Sequence, residues 1–129
     1  MHYTKNRTWA FAATLAIVAA AIPALAHHGT AAFDIEKIVT VKGTVNEFAY
    51  VNPHCQLFFQ VKDAKGELIQ WQGELTAPNK LNRAGWTKRT LKPGDPVTVS
   101  GFQVKSGEHT LWIRKLIGPD GEELPLSED

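Results

Sequence analysis

Cysteine is nearly missing from this chain of 129 residues: Cys55 stands alone, so no internal disulfide can form and no Cys-x-x-Cys pair offers a zinc or redox site. An excess of one charge is missing as well. With 14 Lys and Arg against 13 Asp and Glu, the chain lacks the uncompensated basic surplus that displaces counterions from a nucleic-acid backbone, and no nucleic-acid partner is expected. Signatures of common enzymes are also absent. There is no Gly-x-Ser-x-Gly elbow, no phosphate-binding glycine loop, no dinucleotide fingerprint and no His-Glu-x-x-His, so ordinary hydrolase or oxidoreductase catalysis has no support and an enzyme is not expected. Asp34, Glu47 and Glu74 are not paired by their spacing, and a solvated or salt-bridged role is the simpler expectation for them.

Acid is lacking altogether from the first 26 residues, which hold 18 apolar residues together with Lys5 and Arg7. This is the pattern of a secretory signal peptide over residues 1–26: a positive start, an apolar stretch from Trp9 to Ile22, Pro23, and Ala24-Leu25-Ala26 as a small-x-small cleavage site. The apolar stretch falls short of the roughly 18 residues that a membrane-spanning helix needs. The residue directly after the cut is His27 and not a cysteine, so no lipid anchor is indicated and no stable membrane attachment is expected after cleavage. The expected product is periplasmic and begins at His27. Residues 27–129 then form one domain of 103 residues with 12 basic and 13 acidic side chains, large enough to fold on its core without staples.

Ile38 to Tyr50 reads as a long first strand, with Gly43 where a bulge or bend would curve it. Asn52-Pro53 ends that run. Cys55 to Lys62 and Leu68 to Leu75 are the second and third strands, joined by a turn at Asp63-Ala64-Lys65-Gly66. One short helix follows, with Thr76 as its expected N-cap, Pro78 in its first turn and Gly85 as its stop. After the breaker cluster Lys92-Pro93-Gly94-Asp95-Pro96, Val97 to Val104 and His109 to Ile117 complete five strands. An all-β domain with one short helix between the third and fourth strands predicts an OB-like Greek-key barrel of five strands, with an open β-sandwich as the alternative.

Four histidines can carry chemistry. A chain beginning at His27 offers one metal ion both its α-amine and its imidazole, a chelate no internal histidine can make. His28 supplies a second imidazole or a backbone nitrogen, and His54 a third imidazole on the stiff turn after Pro53. His109, at the opening of the fifth strand, is the fourth candidate. Nitrogen-rich sites of this kind favour Cu(II), then Ni(II), over Zn(II). Strand alternation places His54 and Gln56 on one face and Cys55, Leu57 and Phe59 on the other, which makes Cys55 a core residue rather than a ligand.

The competing use of the domain is as a binding module. OB-like barrels hold ligands on the face of the second and third strands, and Phe58, Trp71 and Trp112 are candidate contacts to a periplasmic partner protein or a small ligand. Lys62, Lys80, Arg83, Lys88 and Arg89 lie near these rings in sequence. Core packing is the bland fate for most of the rings, and Trp86 is expected to seal one end of the barrel.

Several motifs resemble a family of small exported proteobacterial proteins of unknown function: His27-His28-Gly29, Ala31-Ala32-Phe33-Asp34, Gly43-Thr44-Val45, Asn52-Pro53-His54, Trp71-Gln72-Gly73-Glu74, Leu81-x-Arg83-x-Gly85-Trp86 and Leu91-Lys92-Pro93-Gly94-Asp95. The resemblance implies a periplasmic single domain of OB-like type and no established activity. Tyr50 stands where the family more often has Trp, and Gly73 where a larger apolar residue is usual. The leading expectation is a periplasmic copper-binding protein that uses the His27 chelate with His54, aided by His28 or His109.

Overall fold

The computed structural model describes residues 29–127. The expected signal peptide, His27 and His28 lie outside that range. A 3₁₀ turn at Thr30–Ala32 leads into β1 (Phe33–Ala49), followed by β2 (Gln56–Lys62), β3 (Leu68–Glu74), α1 (Pro78–Arg83), β4 (Pro96–Val104) and β5 (Thr110–Ile117). β1 pairs with both β2 and β4, β2 with β3, and β4 with β5, all antiparallel; β3 and β5 run parallel and close the ring. This is the OB-like order, closed irregularly, with only three residue pairs along β3 and β5. Closure rules out the open sandwich.

Alternation dictates which residues enter the ring. Cys55, Leu57 and Phe59 from β2 and its approach, Trp71 and Gly73 from β3, Val97 and Val99 from β4, and Leu111 and Ile113 from β5 face inward and are buried. β1 departs from expectation in two ways. It begins five residues earlier, at Phe33, because Phe33 pairs with Val104. Residues 34–37 then bulge before pairing resumes at Ile38, and the Glu36 N–H turns back to the Asp34 carboxylate at 3.2 Å. The second bulge falls at Asn46 rather than at Gly43. Gly43 serves a different purpose, since a Cβ there would stand 2.5 Å from the Gln60 carbonyl oxygen and 2.9 Å from the Phe59 ring. Its missing side chain is what lets β1 and β2 approach.

The helix starts one residue later than expected, with Ala77 as N-cap and Pro78 at its first position. Its end is a Schellman motif. Gly85 takes φ +89°, its N–H bonds the Asn82 carbonyl at 3.0 Å, and the Trp86 N–H reaches back to the Leu81 carbonyl at 2.9 Å. That turn drives Trp86 into the end of the ring, where it is 3% exposed, packs on Phe48 and donates from Nε1 to the Pro125 carbonyl at 2.6 Å. Among the described residues no helix is long and apolar enough to cross a membrane.

Cys55 is 0% exposed, its N–H and carbonyl both paired with the Leu75–Thr76 segment. Burial pushes its thiol pKa up, which suppresses the thiolate. Native protein is therefore expected to resist alkylation by iodoacetamide at pH 8 and to react fully in denaturant. Mass spectrometry of the adducts reads the result, and rapid native labelling would contradict the burial.

Candidate functional site

The Asn52–Pro53 peptide is cis and leads to His54 at the entrance of β2. Tyr50 ties this loop to the helix: its hydroxyl donates to the Pro78 carbonyl at 3.0 Å and also meets the Asn82 side-chain oxygen. Its ring lies edge-on to Phe48, and burial raises the hydroxyl pKa, with Cys55 adding to the effect, so it stays a donor.

Antiparallel pairing sets Gln56 opposite Glu74, which brings the outward-facing Glu74 beside His54. His54 Nδ1 stands 2.5 Å from Glu74 Oε1, with the side chains 42% and 23% exposed. A carboxylate that accepts the Nδ1–H holds the imidazole in one orientation and leaves the lone pair on Nε2, the arrangement found where a carboxylate stands behind a metal-binding histidine. The outer surface of β2 and β3 continues as amides, with Gln72 Nε2 donating to Gln56 Oε1 at 3.0 Å and Asn46 Nδ2 to Gln70 Oε1 at 3.0 Å.

His54 and Glu74 line a cavity of about 280 Å³ together with Gly29, Thr30, Phe33, Leu75, Thr76 and Trp112. Phe33 is the pin that brings the start of the chain here. It is 3% exposed and lies outside the main core, its ring 6.0 Å from that of Trp112, which in turn packs 5.8 Å from Phe102 and carries the Arg114 guanidinium at 4.9 Å. The Lys105 N–H bonds the Ala32 carbonyl at 2.9 Å and fixes the same segment to β4.

The other candidates are dispersed. His109 is exposed, its ring lies tilted 4.8 Å from that of Trp71, and it does not line the cavity. Trp71 is three residues along β3 from Glu74, about 10 Å at the rise of a strand. His27 and His28 lie outside the described residues. Among those that are described, no three His, Cys, Asp or Glu side chains converge to hold a metal. Phe58, Trp71 and Trp112 do not share a surface. Trp71 faces inward at 8% exposure, Phe58 outward on β2, and Trp112 is covered by Phe33. The alternation of Ile69, Trp71, Gly73 and Leu75 carries the signal that Trp71 belongs to the core.

Fold and site together define a small β-ring protein with a His–Glu pair at the rim, where the N-terminal segment meets the second and third strands. The chain belongs to the family of unknown function DUF6152, whose model matches residues 14–112. No curated protein matches it. Solved structures similar to it include the ZRD-deleted mutant of TiaS in complex with agmatine, at 20% identity and TM-score 0.42 over 62% of this chain and 20% of that one, and a complex of TiaS with tRNA and ATP, at 21% identity and TM-score 0.43 over 69% and 19%. The chain spans about a fifth of the length of either, and likeness of this degree carries nothing about function.

Proposed function

We propose that the protein is an exported, periplasmic copper-binding protein, in which a chain that begins at His27 joins its α-amine and imidazole to His54, for storage, delivery or sensing of one Cu(II) ion. The observation that carries this reading is that Gly29 and His54 border one cavity. Only His28 separates Gly29 from His27, and the two steps of chain extend at most about 7 Å. That short reach supports a metal with bonds near 2 Å to both His27 and His54. Glu74 orients His54 from behind, and His28 is available as a further nitrogen donor. His109 has no part in the site.

The α-amine must be free and must belong to residue 27, so the mass of the exported protein is expected to correspond to a start at His27. Calorimetric titration of Cu(II) into that form, and into a variant with one additional residue before His27, separates the chelate from adventitious binding. The native start is expected to bind at least tenfold more tightly, with one ion per chain. Equal and weak affinity in the two forms would sink the proposal.

A further inference from the structure

The first half of β1 has an edge that no strand of the ring uses. β2 joins β1 only from Thr44 onward, while β4 takes its other side from Ile38 to Thr44. Val45 donates its N–H to the Asp95 carbonyl at 2.9 Å and accepts from the Gly94 N–H at 2.8 Å, so its backbone groups point to the turn that enters β4. Such groups alternate in direction along a strand. Gly43, Val41 and Val39 therefore point toward β4, and Ile38, Thr40 and Lys42 point away from it. Pro96 agrees with this phase, because it stands opposite Thr44 and has no N–H to give. The N–H and carbonyl groups of Ile38, Thr40 and Lys42 thus meet no strand among the described residues. β5 is treated differently: the tail covers its open edge, with the Leu124 N–H on the Leu116 carbonyl at 2.9 Å and a bridge between Ile117 and Glu123.

The open edge of β1 is complementary to itself. Antiparallel pairing about a two-fold axis at Val39 sets Ile38 opposite Thr40 and Glu36 opposite Lys42, each pair made twice. These four side chains share the outer face of the strand, where Ile38 is 51% exposed and the other three are exposed as well. Neither Glu36 nor Lys42 is in an ion pair with a described residue; the ion pairs found are His54 with Glu74 and Lys115 with Glu123. A lysine on an open edge discourages pairing with an arbitrary strand. Glu36 of a second copy neutralises it. An axis at Ile38 would set Asp34 opposite Lys42 instead, but the Asp34 carboxylate already accepts the Glu36 N–H of its own chain at 3.2 Å.

We propose that two copies of this chain associate through β1, edge to edge and antiparallel about Val39, so that one ladder runs from ring to ring. Ile38 and Thr40 of each copy exchange backbone bonds, and the Lys42 N–H reaches the Glu36 carbonyl of the second copy. The pairing uses neither His54 nor its cavity and is independent of copper.

Sedimentation equilibrium of the exported protein tests it, with EDTA present so that no metal bridges two chains. One strand from each copy makes a small contact, and a dissociation constant of roughly 10–100 μM is expected. E36K or K42E alone sets like charges opposite each other twice and is expected to weaken the dimer at least about tenfold. E36K together with K42E restores opposite charges and is expected to recover affinity to within about threefold. K88E, on the segment after α1, is the control and is expected to change nothing. All three positions are exposed, and circular dichroism confirms that the variants fold. In hydrogen exchange followed by NMR, the amides of Ile38, Thr40 and Lys42 are expected to be protected in concentrated protein and to exchange freely on dilution, whereas Val39 and Val41 stay protected throughout. A chain that remains monomeric, a dimer insensitive to the single reversals or equally sensitive to K88E, a double variant as weak as the single ones, or protection at Ile38 and Thr40 that ignores dilution overturns the proposal.

Discussion

Phe59→Ala is expected to lower the unfolding free energy by about 3–5 kcal/mol, at the upper end of large-to-small core substitutions. The ring is 0% exposed and packs with its centroid 6.4 Å from Trp71. It fills space that two neighbouring strands leave vacant. A Cβ at Gly43 would be 2.9 Å from Phe59, and one at Gly73 would be 3.7 Å from it. Neither strand can close in on the hole, because β1 at Gly43 already stands against the β2 backbone and the Ile113 side chain already fills the space beside Gly73. The cavity thus persists and the full cavity term applies. Domains of this size have total stabilities of about 5–15 kcal/mol, so the variant retains a fraction of its stability or fails to fold. Urea denaturation reads this as a fall in midpoint with the slope unchanged. Phe58→Ala, on the outer side of the same strand, is expected to cost less than about 1 kcal/mol. Similar losses in the two variants would show that Phe59 is not the centre of the core.

Strand order and helix placement were legible because they rest on local chemistry. Valine and threonine marked β1, alternation marked β4, the turn at Asp63–Gly66 fixed the hairpin, and Gly85 marked the helix stop that the Schellman bonds confirm. The early start of β1 was not legible. Asp34, Glu36 and Lys37 look like solvent-exposed lead-in, and only the distant pairing of Phe33 with Val104 makes them part of a strand. The position of the second bulge was equally hidden. Asn46 is where β1 turns toward the Gly94–Asp95 turn, which bonds Val45 from both sides, and no pattern within β1 records that partner.

The candidate site divides the same way. His54 stood out from the Asn-Pro-His turn, but its partnership with Glu74 depends on register. That register could have been counted, since the hairpin centres on Lys65 and Gln56 and Glu74 are each nine residues from it. By contrast, Phe33 on Trp112 could not, because it requires the bulge at residues 34–37 and the pairing of β1 with β4 at once. This contact brings Gly29 to the rim. The chemistry of the rim was thus readable residue by residue, whereas its assembly depends on contacts between residues far apart in the chain.

Under the proposed reading, His54→Ala is expected to weaken Cu(II) binding more than 100-fold while leaving the fold intact. The ring of His54 is 42% exposed and its ion pair with Glu74 lies at the surface, so its loss is expected to move stability by less than about 1 kcal/mol. Removing a ligand deletes a metal bond outright, whereas removing the group behind it only loosens the ligand. Glu74→Gln keeps the shape and an accepting oxygen but gives up the charge that holds the Nδ1 proton, and a loss of about 10–100-fold is expected. His109→Ala serves as the control, since its ring lies against Trp71 and outside the cavity; affinity there is expected to stay within twofold. Competition titration against a chelator of known affinity measures all three. The order His54 above Glu74 above His109 follows from a metal held at Nε2 of His54. Equal effects at His54 and His109, or none at Glu74, would place the copper elsewhere.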